Sequence, residues 1–90
     1  MIFSFYKVSG HSMEPYLHEG DKVLTCSFLK ISEGDVIVFK KGETKFIKRV
    51  RKIESNFYSC EGDNKHDSLD SKKLGPIPKK NILGKVVLKI

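Results

Sequence analysis

Short runs of apolar and β-branched residues, separated by turn residues, are the feature that most restricts how this chain can fold. The runs recur about every ten residues. The turn sequence Glu-Gly-Asp occurs three times along the chain, at positions 19–21, 33–35 and 61–63. Runs of this length are typical of strands, because an amphipathic helix needs apolar residues spaced by three and four over a longer segment. The predicted strands are residues 2–8, 21–26, 35–40, 44–53, 56–61 and 84–90.

The spacing of these strands indicates an all-β fold, and we expect a small, strongly bent, mostly antiparallel β-barrel or sandwich. Lys40-Lys41-Gly42-Glu43 has the composition of a hairpin turn. Residues 12–19 are the one segment whose pattern allows a short helix or 3₁₀ turn, with Ser12 as its N-cap. With 90 residues, 39% of them hydrophobic, residues 1–90 are predicted to form one domain around one core.

The charge of the chain is basic but dispersed. Lys and Arg number 17 against 11 for Asp and Glu, which gives a formal charge of +6, and the cations are almost all Lys, placed singly or in pairs. Nucleic-acid surfaces usually present a basic stripe with interleaved aromatic or Arg residues. We therefore expect a solvated basic surface and no nucleic-acid partner, and attraction to anionic lipid headgroups or to nucleic acid is the lesser alternative.

The cysteines and apolar runs exclude two further classes. Cys26 and Cys60 lie far apart and have no metal-ligand spacing, so neither a metal nor a cofactor is expected. The sequence leaves open whether they are two thiols or one disulfide. Because the N-terminal apolar stretch is short and interrupted, we expect no signal peptide or transmembrane anchor, and a soluble protein that is cytoplasmic or at most peripheral to a membrane.

Ser12 follows the first predicted strand in the sequence Gly-His-Ser-Met-Glu-Pro, where we expect an exposed hydroxyl. We interpret Ser12 as a candidate nucleophile, which needs a base to take its proton. His11 is a poor candidate for that base, because adjacent side chains diverge on an extended chain. Met13 is expected to anchor the turn in the core.

Lys48 is the candidate base. In the segment Lys-Phe-Ile-Lys-Arg-Val, strand alternation places Phe46, Lys48 and Val50 on one face. A lysine between two bulky apolar neighbours loses hydration, which lowers its pKa and leaves a neutral amine able to accept a proton from serine. The ordinary alternative is a strand lysine that extends to solvent. Lys45, the rival base, is predicted on the opposite face.

Residues 60–78 form a long polar segment in a chain of otherwise short loops, and such loops often carry function. The segment supplies Ser68, whose hydroxyl is placed to orient the Lys48 amine. It also supplies Asp63 and Asp70 as partners for Arg49 and Lys72, respectively.

Four segments together carry a resemblance to a known family. Residues 10–24 (GHSMEPYLHEGDKVL) resemble the serine box of type I signal peptidases, and GDVIVF, KFIKRV and residues 62–86 resemble the boxes that follow it, in the same order. The first segment is also similar to LexA-type self-cleaving repressors. The GDN-x-x-x-S-x-D-S pattern followed by Gly-Pro-Ile-Pro is specific to the signal peptidases.

The resemblance implies a small all-β catalytic core that works without a cofactor. Ser12 would be the nucleophile, Lys48 the general base and Ser68 the hydroxyl that positions the amine. Asp63 would brace Arg49, and Asp70 would brace position 72.

The resemblance also implies an oxyanion hole at the turn formed by Gly10, His11, Ser12 and Met13. The Ser12 backbone N–H would be one donor. Some relatives add a serine hydroxyl where this chain has Gly10, so the second donor stays open.

Three features depart from the family pattern. Position 16 is Tyr where Thr is usual, which concerns the rim of the substrate groove. Position 72 is Lys where Arg is usual, so a two-fold hydrogen-bonded pair with Asp70 is not available. Only 20 positions separate Lys48 from Ser68, so we expect no large second domain of the kind often inserted there, and we also expect no N-terminal anchor.

We therefore predict a serine endopeptidase that removes a leader or signal peptide from a precursor protein through an acyl-enzyme. The precursor would bind extended along a strand edge, and the resemblance implies small residues, above all Ala, at its −1 and −3 positions. One alternative is a LexA-like self-cleaving domain, although no Ala-Gly or Cys-Gly bond precedes Ser12. The other is a non-catalytic basic β-barrel that binds peptide or nucleic acid. The substrate, compartment and oligomeric state are not fixed by the sequence.

Overall fold

The computed structural model of the protein describes residues 2–65 and 74–90, which form strands, turns and one short 3₁₀ helix. The strands are β1 (Phe3–Lys7), β2 (Lys22–Cys26), β3 (Val36–Lys41), β4 (Thr44–Glu54), β5 (Phe57–Glu61), β6 (Ile77–Pro78) and β7 (Ile82–Lys89). The 3₁₀ helix is Lys79–Asn81. The predicted all-β class is confirmed, and six of these strands match predicted ones to within two residues at either end. The seventh, β6, has only two residues.

All seven strands join one antiparallel sheet in the order β1-β2-β7-β3-β4-β5-β6. The predicted hairpin joins β3 to β4 through Gly42 and Glu43, since Lys41 pairs with Thr44. The C-terminal strand β7 lies between β2 and β3 near the middle of the sheet, whereas the N-terminal strand β1 forms one end of it. The sheet is not closed into a barrel in the described part of the chain, so the open, sandwich-like form of the predicted fold is the correct one.

The sheet curves strongly, as predicted. Three strands separate β1 from β4, so in a flat sheet they would lie about 19 Å apart, four interstrand spacings. The Lys45 ammonium of β4 nevertheless lies 5.6 Å from the centre of the Tyr6 ring of β1. The curvature therefore brings the first strand over the beginning of the fourth, and a cleft forms between them.

Strand β3 has a core on each side, and this explains its unbroken apolar sequence Val36–Phe39, which is buried throughout. The first core, inside the curve, contains Val8, Met13, Leu17, Val23, Val36, Val38 and Val86. The second core, on the other side, contains Ile37, Phe39, Val50, Tyr58, Cys60, Leu74 and Ile77. The first core carries the segment around Ser12, and the second core lies behind β4.

The two cysteines are separate buried thiols, so the first of the two alternatives left open by the sequence is the one observed. Burial raises the pKa of the Cys60 thiol to about 12, because a thiolate would lose its hydration in the second core. Among residues 2–65 and 74–90, no helix has the length and apolar character needed to cross a membrane.

Candidate active site

Ser12 lies in a tight turn at the rim of the first core. The Glu14 N–H donates to the His11 carbonyl at 3.2 Å, which places Ser12 and Met13 at the centre of the turn. Met13, only 2% exposed, anchors the turn in the first core, as predicted. Turns occupy residues 12–16, so of the short helix or 3₁₀ turn expected for this segment the helix does not form.

The two residues before Ser12 shape the entry to this turn. Gly10 has φ of +82°, a left-handed conformation that glycine adopts without strain. Its N–H donates to Glu19 Oε1 at 3.1 Å. His11 Nδ1 lies 2.6 Å from Glu14 Oε2, and the imidazole is about half exposed. The pair holds the His11 side chain on the outside of the turn.

Ser12 and Lys48 line the same cleft, between the end of β1 and the beginning of β4. Its volume is about 310 Å³, and its walls are mainly apolar, including Val8, Met13 and Ile47. That volume is at the small end of the range for ligand pockets, about 300 to 1,000 Å³.

Lys48 is 3% exposed and is the one buried charged side chain among the residues that the structure describes. It pairs across the sheet with Ile37, and Val50, next on the same face of β4, belongs to the second core. Removing an ammonium from water disfavours its charged form. The Lys48 side chain is therefore largely removed from water.

Lys45 also lines the cleft, although alternation along β4 separates it from Lys48. The curved sheet explains this, because β1 crosses close to the first residues of β4. Unlike Lys48, Lys45 is exposed, and its ammonium rests on the Tyr6 ring. The two lysines thus share a cleft but differ in hydration.

Arg49, next to Lys48 along β4, joins three separate segments. Its Nε and Nη2 donate to the two carboxylate oxygens of Asp63 at 2.8 and 2.7 Å. Its Nη1 donates to the Gly34 carbonyl at 2.7 Å. The pKa of Arg49 is raised, first by the hydrogen bond to Asp63 and then by the charge of that carboxylate, against the opposing effect of burial. The pair fixes β4 at the position of Lys48 to the segment after β5.

The third contact of Arg49 is with Tyr16, whose ring centre lies 5.0 Å from the guanidinium carbon. This distance is typical of a cation–π interaction. Tyr16 follows Ser12 in the same turn region, so the contact links the strand of Lys48 to the turn of Ser12. The sequence placed Tyr16 at the groove rim and gave no sign of this contact.

Asn64 is a site residue that the sequence analysis did not single out. Its backbone N–H donates to the Ser12 carbonyl at 2.8 Å, and its side-chain Nδ2 donates to the His11 carbonyl at 3.1 Å. The only sequence signal was its place beside Asp63 in the Gly-Asp-Asn segment. The structure thus brings together Ser12, Lys48, Arg49 and Asp63, and adds Asn64. The predicted Ser68, Asp70 and Lys72 lie outside the described residues, and their roles stay predictions.

Comparison with known proteins adds one positive finding. The sequence model of a family described as "Signal peptidase, peptidase S26" matches residues 1–53 and 51–90, which together span the chain. A search of curated proteins gave no match.

Proposed function

The chain belongs to the signal peptidase S26 family, and from that premise we propose that it is a serine endopeptidase with Ser12 as nucleophile and Lys48 as general base. The observation that carries the proposal is the burial of Lys48, 3% exposed, in the wall of the cleft that Ser12 also lines. An exposed lysine is protonated at neutral pH and accepts no proton, whereas a desolvated one is more readily neutral.

The reaction begins when the neutral Lys48 amine takes the proton of the Ser12 hydroxyl as the oxygen attacks the scissile carbonyl. The carbonyl oxygen becomes an oxyanion, and the Ser12 backbone N–H donates to it. The Lys48 ammonium then gives its proton to the departing amine, which leaves an acyl ester on Ser12. Lys48 next takes a proton from water as the water oxygen attacks the ester, and the Lys48 ammonium then returns that proton to the leaving Ser12 oxygen, which releases the acid product and restores the enzyme.

The substrate is a precursor protein bound in an extended conformation. β1 is at the end of the strand order, so its outer edge has no neighbouring strand in the described part of the chain. An extended peptide pairs with such an edge through its main chain. Membership of the signal peptidase family implies small residues at the −1 and −3 positions of the precursor, and removal of a leader or signal peptide is the corresponding function.

Self-cleavage of the LexA type is less compatible with this arrangement. The described residues before Ser12 include β1, which is paired with β2 along its whole length. That segment would have to leave the sheet before it could enter the cleft. Cleavage of an added peptide at a rate proportional to enzyme concentration is the behaviour that an intermolecular peptidase predicts.

Replacement of Lys48 by Met tests the proposal, with Lys45→Met as the matched control from the same cleft. Met keeps the length of the stem but removes the amine. Cleavage of a peptide with Ala at −1 and −3 should fall by about 10⁴-fold or more in Lys48→Met and in Ser12→Ala, and remain within a few-fold of the parent in Lys45→Met. Full activity in Lys48→Met, or loss confined to Lys45→Met, would exclude Lys48 as the base.

A further inference from the structure

Asn64 contacts both peptide groups that flank the Cα atom of Ser12. The carbonyl before it belongs to His11 and accepts from Asn64 Nδ2 at 3.1 Å, and the carbonyl after it is that of Ser12 itself and accepts from the Asn64 N–H at 2.8 Å. One residue from the segment after β5 therefore holds both sides of the nucleophile.

The first of these contacts fixes the direction of the Ser12 N–H. Among the described residues the cis peptide bond is Glu14–Pro15, so the His11–Ser12 peptide is trans and planar, and its N–H points opposite to its carbonyl. The same His11 carbonyl accepts from the Glu14 N–H at 3.2 Å, so two donors hold it. Hydrogen bonds to a carbonyl also polarise the peptide group and strengthen its N–H as a donor.

The neighbour of Asn64 holds the other half of the site. Asp63 binds Arg49 through both carboxylate oxygens, and Arg49 follows Lys48 along β4. Two consecutive residues thus attach to the strand of the base and to the turn of the nucleophile. Their separation is limited by the covalent chain to about 3.8 Å between Cα atoms, so this dipeptide restricts how far turn and strand can drift apart.

On the basis of the proposed function, we propose that Asn64 is a positioning residue that aims the Ser12 N–H at the oxyanion and holds the nucleophile turn against the strand of Lys48. The side chain does not touch the substrate. It acts through the His11–Ser12 peptide group, and its loss lets that group rotate.

The test replaces Asn64 by Ala, with Asn56→Ala as the matched control at an exposed position in the β4–β5 turn. The kinetic readouts are kcat and KM for a peptide with Ala at −1 and −3. The binding readouts are the affinities for a peptide aldehyde, whose adduct with Ser12 bears an oxyanion, and for the corresponding peptide alcohol, which forms no adduct. Thermal unfolding reports whether each variant is folded.

Asn64→Ala should lower kcat and the affinity for the aldehyde by about 10- to 100-fold, which is less than the effect of removing an oxyanion donor outright. KM and the affinity for the alcohol should stay within about two-fold of the parent values. Asn56→Ala should change none of them. Unchanged kcat and aldehyde affinity, or equal losses for aldehyde and alcohol, would overturn the positioning role. Should Asn64→Ala fail to fold, Asn64→Asp retains the size of the side chain and lacks the Nδ2 donor, and the same criteria apply. A parent protein that neither cleaves the peptide nor binds the aldehyde would refute the proposed function itself.

Discussion

Removal of the carboxylate charge of Asp63 should destabilise the protein more than the same change at a neighbouring ion pair. In Asp63→Asn, an amide NH₂ group replaces one of the two carboxylate oxygens that accept from Arg49. Its N–H groups then face the N–H groups of the guanidinium, and no hydrogen bond forms between them. Arg49 retains its bond to the Gly34 carbonyl, so the guanidinium loses its counter-charge but not all of its contacts.

The magnitude follows from the burial of the pair. The side chains of Arg49 and Asp63 are 24% and 15% exposed, between the fully exposed and fully buried cases. Exposed pairs contribute about 0 to 1 kcal/mol, and loss of one partner of a buried pair costs about 3 to 5 kcal/mol. We therefore expect a loss of about 2 kcal/mol in the free energy of unfolding, which for a domain of this size lowers Tm by about 10 °C.

The assay is thermal and urea unfolding followed by far-ultraviolet circular dichroism, with Glu61→Gln as the control. Glu61 of β5 pairs with Arg51 of β4, and those two side chains are 31% and 44% exposed, respectively. Glu61→Gln should therefore cost less than about 1 kcal/mol. Equal losses in the two variants, or no loss in Asp63→Asn, would refute the reasoning that Asp63 holds β4 at the site.

Three other changes test separate parts of the account. Tyr16→Thr should lower stability by about 0.5 to 1 kcal/mol in urea unfolding, and Tyr16→Phe, which keeps the ring over Arg49, should not; equal losses would exclude the cation–π contact. The pKa of Cys60 is raised to about 12 from 9.0, so the native state retains a proton that the unfolded state loses above pH 9. The free energy of unfolding should therefore fall as the pH rises above 9. The fall should be steeper in the parent than in Cys60→Ala, by up to about 1.4 kcal/mol per pH unit. Identical pH dependence would show that the thiol is not desolvated. A Cβ atom at Gly84 would lie 3.0 Å from the Thr25 side chain, so Gly84→Ala should cost about 1 to 3 kcal/mol, and a neutral result would mean that β2 and β7 separate easily.

The sequence predicted the strands well because their signal is local. Alternation and turn residues placed six strands, and the buried run Val36–Phe39 and the Gly42-Glu43 turn followed the same rules. Strand β6 was missed because two residues carry no periodicity. Neither the place of β7 between β2 and β3 nor the open edge of the sheet could be derived, since both depend on contacts between residues distant in sequence.

The sequence likewise predicted only those features of the candidate site that depend on local pattern. Alternation along β4 predicted an apolar environment for Lys48, because strand phase alone decides which neighbours share its face. The long loop predicted Asp63 as a partner of Arg49, because the opposite charges of the two residue types are enough to suggest the pair. Asn64 was missed because its side-chain donor and its backbone N–H act on the main chain of a turn more than 50 positions earlier. A contact with a backbone carbonyl places no restriction on the residue type that supplies the carbonyl, so the residues around Ser12 do not indicate that Asn64 binds there.

The pH dependence of Ser12 acylation tests the central claim most directly. An activated peptide ester with Ala at its −1 and −3 positions would be mixed with the protein in single turnover, and the acyl group located by mass spectrometry. The account predicts a label on Ser12, with a rate that rises to half its maximum well below the pKa of about 10.4 of a solvated lysine and a rise that disappears in Lys48→Met. A label on another residue, a midpoint near that of solvated lysine, or an unchanged profile in Lys48→Met would contradict it.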